Sequence, residues 1–148
     1  GLSMRTIRSE IRINAPEYMV WNALLASNAI PPEIRDAVHE MRIGRPFRVV
    51  MSSEGRSTTL TVTLLAANPS RHIRWRGHLW VPGLFDGEHS FEIIQESRES
   101  VLLIQEEKFS GILVSFLSRT IDKTKEKFGE ANATVKTMAE QEYAQSKR

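Results

Sequence analysis

The stretch "RWRGHLWVPGLFDGEHSFEIIQESRESVLLIQEEKFSGILVSFLSRTIDKTKEKF", Arg74 to Phe128, decides the fold. Its start continues an alternation in which Ile73, Trp75, Gly77 and Leu79 share one side of a strand, against His72, Arg74, Arg76 and His78. Pro82-Gly83 and Asp86-Gly87 punctuate a bend, and residues 88–96 and 100–109 read as two further strands. After Gly111 the apolar period changes. Leu113, Phe116, Leu117, Ile121, Thr124, Phe128, Ala131, Val135 and Met138 recur every three or four positions, among lysines, glutamates and an aspartate. A stripe from about residue 112 to about residue 142 predicts a helix of roughly 45 Å, interrupted only by Gly129. Such a helix must bury its stripe, and the concave face of an antiparallel sheet is the partner available.

Upstream, Ile7, Ile11 and Ile13 alternate with Arg8, Glu10 and Arg12, which predicts a half-buried first strand. Asn14 and Glu17 have capping-box spacing, with Pro16 in the first helical turn. Val20, Trp21, Leu24 and Leu25 give the helix an apolar face, and Pro31-Pro32 breaks it before a further turn or two over Glu33–Val38. Phe47, Val49 and Met51 alternate with Arg48 and Ser52, while Leu60, Val62 and Leu64 alternate with Thr59, Thr61 and Thr63. Asn68-Pro69-Ser70 marks a turn. The expected order is one strand, one or two short helices, about six antiparallel strands and one long helix. That is an α+β chain with a single domain over residues 4–145, Gly1-Leu2-Ser3 being set aside as either a tag remnant or a disordered end.

At 148 residues the chain is long enough for one substantial core. Its 41% hydrophobic and 26% charged content is ordinary for a globular protein. Twenty basic side chains are interleaved with 18 acidic ones for a formal charge of +2, so no concentrated basic face for nucleic acid is visible. The absence of cysteine excludes disulfides, thiolate nucleophiles and Cys-ligated metals. No apolar run approaches the roughly 18 residues of a membrane span, and no signal-peptide core precedes the first strand. A cytoplasmic protein, monomeric or homodimeric and without stable membrane insertion, is expected. His72 and His78 stand six residues apart on one strand, roughly 20 Å, too far to share a metal. The sequence has no HExxH helix, phosphate-cradling glycine loop or GxSxG elbow, and neither metal nor cofactor is expected.

Several stretches together resemble the START-like, or SRPBCC, superfamily, and within it the polyketide cyclase/dehydrase and lipid transport branch. They are "INAPEYMVWNAL" with Pro16 and Trp21, "RHIRWRGHL", "PGLFDGEHSFEI", "EEKFSGIL", and the final helix with Phe128 and Asn132. The resemblance covers nearly the whole chain. It implies a helix-grip fold: seven antiparallel strands curved around a long C-terminal helix, with a cavity between them. It does not imply catalysis, since carriers, ligand sensors and aromatase/cyclases share the fold. It also suggests that Gly83, Gly87 and Gly111 hinge a gating loop, against the plainer reading of turn glycines, which Gly87 favours.

His89 shares strand parity with Phe91 and Ile93, so it is a candidate to orient or deprotonate a ligand. The alternative is a structural histidine bonded to a neighbouring strand. Glu107 shares parity with Leu103, Gln105 and Phe109, and a carboxylate entering an apolar cavity is how a general acid or base is made. Parity leaves open whether Glu107 or Glu106 points inward: an odd-length connection between the last two strands favours Glu107, an even one Glu106. Trp75, Phe91, Phe109, Phe116, Ile121 and Phe128 are expected as wall or core. His89, Gln105, Glu107 and Asn132 are the expected polar contacts. The favoured function is binding of a hydrophobic or amphipathic small molecule, lipid-like or polyketide-like, between sheet and helix. Two rivals stand beside it: a cyclase, dehydratase or hydrolase using His89 or Glu107, and an interaction module with a packed interior.

Overall fold

The computed structural model describes residues 3–53 and 55–148. In chain order these form β1 (Ser3–Ile13), α1 (Glu17–Ala26), α2 (Pro32–His39), β2 (Phe47–Ser53), β3 (Arg56–Asn68), β4 (His72–Leu79), β5 (Asp86–Ser97) and β6 (Ser100–Gly111). A 3-10 turn (Val114–Phe116) and α3 (Ser118–Ser146) follow. The strands make one antiparallel, curved sheet in the order β1-β6-β5-β4-β3-β2, with α3 laid along β1 and α1 packed on α3 and β5.

Among the described residues the sheet has six strands where seven were expected. The chain before Asn68 is spent on β2 and one 13-residue strand, β3, which a bulge between Leu64 and Ala66 bends without ending it. Upstream of β2, Ile43 contributes only an isolated bridge to Leu64. Ser3 is already paired with Gly111, so the ordered sheet includes a residue set aside as tag; Gly1 and Leu2 lie outside the described residues.

Period-two alternation becomes burial. Ile7, Ile13, Val49, Val62, Leu64, Ile73, Trp75, Phe91, Leu103 and Phe109 all turn inward and are buried. The interior divides into a large apolar cluster, which includes α1, α2, Phe91, Val135 and Ala139, and a smaller one of Ile7, Phe109, Val114, Ile121 and Phe128.

The long helix starts later than the stripe predicts. Leu113 and Phe116 belong to the 3-10 turn and its approach, and Phe116 is exposed, so it is not part of the cavity wall. The cause is Gly111 at φ +118°: a Cβ there would stand 2.6 Å from the Leu84 carbonyl oxygen, so chain and loop run in contact before the helix turns in. The helix of 29 residues still spans roughly 43 Å. The expected capping box does not form either. Pro16 takes the N-cap position with no side-chain cap bond, and the Asn14 N–H donates to Glu140 Oε2 at 2.7 Å.

One irregularity positions the site. Only Arg98 and Glu99 separate β5 from β6, an even-length turn that by itself brings Glu106 to the inner face. However, the register shifts between Gln95 and Ser97, inserting Glu96 as an extra residue in β5. Beyond the bulge Phe91 faces Gln105 and His89 faces Glu107, so Glu107 turns inward and Glu106 lies near Arg8 on the outer face. Arg12 of β1 grips the bulged Glu96 with two bonds, at 2.6 and 3.1 Å. The bond and the charge of each partner push the Arg12 guanidinium up and the Glu96 carboxyl down from their ordinary values.

Candidate functional site

Antiparallel register sets five side chains across the concave face in one row: Ile7, Glu107, His89, Trp75 and Leu64. The next row holds Ser9, Gln105, Phe91 and Ile73. Trp75 stacks on His89 with ring centroids 4.4 Å apart and planes 13° from parallel, which fixes the imidazole plane. Phe91 and Phe128 close on the same ring at 5.1 and 4.9 Å.

A buried polar chain then orients the histidine. Asn132 on α3 donates from Nδ2 to the Ser9 carbonyl at 3.3 Å. Its Oδ1 accepts from Gln105 Nε2 at 2.9 Å, and Gln105 Nε2 also reaches the Phe128 carbonyl at 3.4 Å. Two backbone carbonyls thereby fix which way both amides point, leaving Gln105 Oε1 as acceptor for His89 Nε2 at 2.9 Å. Nε2 therefore carries a proton. The other nitrogen, Nδ1, lies 3.4 Å from Glu107 Oε1. Nδ1 and the Glu107 carboxyl thus meet beside the cavity, placed to contact one ligand group together.

Glycine makes room for that carboxylate. A Cβ on Gly87 would stand 2.3 Å from Glu107 Oε2, and Gly87 pairs across the sheet with Gly77. Gly87 lies within β5 at an ordinary φ, so its role is space on the concave face rather than turn chemistry.

A cavity of about 410 Å³ lies between this row and α3. Trp75, His89, Gln105, Glu107 and Phe128 line it, as expected residues. A smaller hollow of about 70 Å³ continues past the two glycines, bounded by Trp75, Glu107, Phe85 and Phe109. The structure places the remaining candidates elsewhere. Phe91 and Ile121 are buried in the two apolar clusters, Phe109 borders the small hollow rather than the larger cavity, Asn132 stands behind Gln105, and Phe116 is at the surface.

The mouth was missed in the sequence reading. It is formed by Asn28, Ala29 and Pro31 between α1 and α2, by Met51 and Ser52 of β2, and by Thr124 and Lys127 of α3. Met51 carried a signal, being in phase with Phe47 and Val49. Lys127 carried none, since it reads as the solvated face of a helix. Among the described residues no group of three or more His, Asp or Glu is placed to hold a metal, and no helix is long and apolar enough to cross a membrane.

The geometry is that of a helix-grip fold, a sheet curved around a C-terminal helix over a hollow. The comparisons with solved structures agree. An aromatase/cyclase, Zhui, from Streptomyces sp. R1128 is similar over 93% of this chain and 94% of its own, at 15% identity and a TM-score of 0.60. A norcoclaurine synthase from Thalictrum flavum, a point mutant in complex with a transition state analogue, matches over 96% and 98% at 9% identity and a TM-score of 0.61. Ara h 8.0201 matches over 93% and 98%, at 9% identity and a TM-score of 0.59. No family model matches the sequence, and no curated protein is similar to it. At such identities the likeness is one of fold.

Proposed function

We propose that the protein binds a hydrophobic or amphipathic small molecule between the sheet and α3, as a carrier or sensor. The observation that carries this reading is the 410 Å³ cavity, which falls within the roughly 300–1,000 Å³ of small-molecule sites. Apolar contact with Trp75, Phe128, Val62 and Leu60 supplies affinity at about 25 cal/mol per Å² buried. His89 and Glu107 offer the one acid–base pair on the concave row, so the ligand fitted to it has an apolar body and a hydroxyl or carbonyl.

Native mass spectrometry of the purified protein, followed by organic extraction, tests this. A stoichiometric adduct that leaves into organic solvent is the expected result. A bare protein mass, together with no binding of an environment-sensitive apolar dye, would favour the packed interaction module instead.

A second reading has its own observation. An imidazole and a carboxyl side by side on a cavity wall are the equipment of general acid–base catalysis, and two neighbours of similar fold are named as an aromatase/cyclase and a synthase. Under that reading Glu107→Gln abolishes turnover of the extracted ligand while leaving its binding within about threefold. Gly87→Ala, which displaces the carboxylate without removing it, lowers turnover as well. Unchanged turnover in both variants would leave the carrier or sensor reading alone.

A further inference from the structure

Among the described residues, five of the eleven large apolar side chains left in solvent gather at one end of the molecule. Sheet register brings the start of β1, the end of β6 and the β4–β5 loop together there: Ser3 pairs with Gly111, and His78 with Asp86. Trp80 and Val81 project from the β4–β5 loop, Ile112 and Phe116 from the β6–α3 connection, and Met4 from β1. Their exposures are 78, 57, 61, 78 and 75% respectively.

These side chains are not exposed because the backbone is loose. The Ile112 and Leu113 N–H groups donate to the Gly83 and Leu84 carbonyls at 3.0 and 2.9 Å, tying the two segments together. Asp86 accepts from the Gly83 N–H with both carboxylate oxygens, at 3.1 and 3.0 Å. Trp80 itself stands at φ +59°, a left-handed conformation that is costly for a bulky residue and that holds the indole outward. Strain spent on exposing a tryptophan calls for a surface to receive it.

The charge around the tips indicates which surface. Arg119 and Lys123, in the first turns of α3, are exposed and have no ion-pair partner among the described residues, and Arg76 and Lys108 are exposed on the outer faces of the adjoining strand ends. Of the acids at this end, Asp86 accepts from the Gly83 N–H, Asp122 pairs with Arg5, and Glu88 lies across from Arg76 and Lys108 and 3.8 Å from Arg74, so Arg119 and Lys123 are the cations left to a partner. Apolar tips edged by cations complement an anionic bilayer, in which the tips enter the acyl boundary and the cations meet phosphates. We propose that this end of the molecule docks on an anionic lipid bilayer, with Trp80 and Phe116 inserted and Arg119 and Lys123 against the headgroups. The small hollow bounded by Phe85 and Phe109 lies beneath the same loop. The inference does not depend on what the cavity holds.

The test uses the whole chain, pelleted with sucrose-loaded vesicles of phosphatidylcholine alone or of phosphatidylcholine mixed with phosphatidylserine. Trp21 and Trp75 are buried, so a blue shift of tryptophan emission reports Trp80 entering the bilayer. The expected result is pelleting with the anionic vesicles, a blue shift, and binding at least about tenfold weaker for Trp80→Ser/Phe116→Ser. Arg119→Glu/Lys123→Glu weakens binding by a similar factor without touching the apolar tips. Failure to pellet with anionic vesicles overturns the proposal, and so does undiminished binding by both double variants. Equal pelleting with neutral vesicles overturns the anionic assignment. A concentration-dependent dimer that Trp80→Ser/Phe116→Ser dissolves overturns it too, and gives the face to a second copy of the chain.

Discussion

Gln105 and Asn132 are buried polar residues, and each satisfies the other. Removing one of them leaves a stranded partner. Asn132→Leu strands the Ser9 carbonyl and one Gln105 donor, and should cost about 1–3 kcal/mol in denaturant unfolding. Adding Gln105→Leu should cost less than the sum of the two single changes, because the pair then disappears together. Strict additivity would mean that the chain of bonds from Ser9 to His89 does not act as a unit. The sequence marked these residues as polar and in phase with the interior. It did not show that two backbone carbonyls dictate the direction of the chain and hence the His89 tautomer, because that depends on strands and helix distant in sequence.

The clearest fastening between elements joins α3 to the end of β1. Glu140 accepts the Asn14 N–H at 2.7 Å, and Lys136 donates to the Arg12 carbonyl at 2.8 Å and to Glu140 at 2.7 Å. Partial burial pushes the Glu140 carboxyl up, but the Lys136 ammonium and the Asn14 N–H outweigh it and hold the group below its ordinary value. A carboxyl lowered on folding contributes its full stability above its unfolded value and loses it as pH falls through the folded one. Glu140→Gln should therefore cost roughly 1 kcal/mol near neutral pH, with the gap to wild type closing under acid. A constant difference across the acid range in urea titrations would refute the assignment. Elements of this kind were legible where a period ran uninterrupted, as in β4 and the body of α3. They were misread at their ends. Asn14 looks like a cap by spacing, yet its backbone is claimed by a helix more than a hundred residues away, and the start of α3 is displaced by a loop contact at Gly111.

For the molecule as a whole, α3 has two unequal halves. Val135 and Ala139 sit in the large cluster with α1, whereas Thr124, Lys127 and Ala131 face the cavity. Amide hydrogen exchange should be slowest in β1, β5, β6 and the second half of α3, and faster over residues 118–127. A cavity ligand should slow that first half selectively. Uniform protection along α3, unchanged by ligand, would remove the cavity from the account of its dynamics. The bulge at Glu96 has a consequence of another kind. Surface hairpin turns ordinarily accept gains and losses of residues. At this one, deleting Glu96 leaves Gln95 next to Ser97 and opposite Val101, so Glu107 and Leu103 keep the inner face, whereas pairing straight through Glu96 would exchange Glu107 for Glu106 and turn Leu103 out in favour of Leu102 and Ile104. Loss of the extra residue is therefore open to the hairpin, while straightening the bulge at full length is closed.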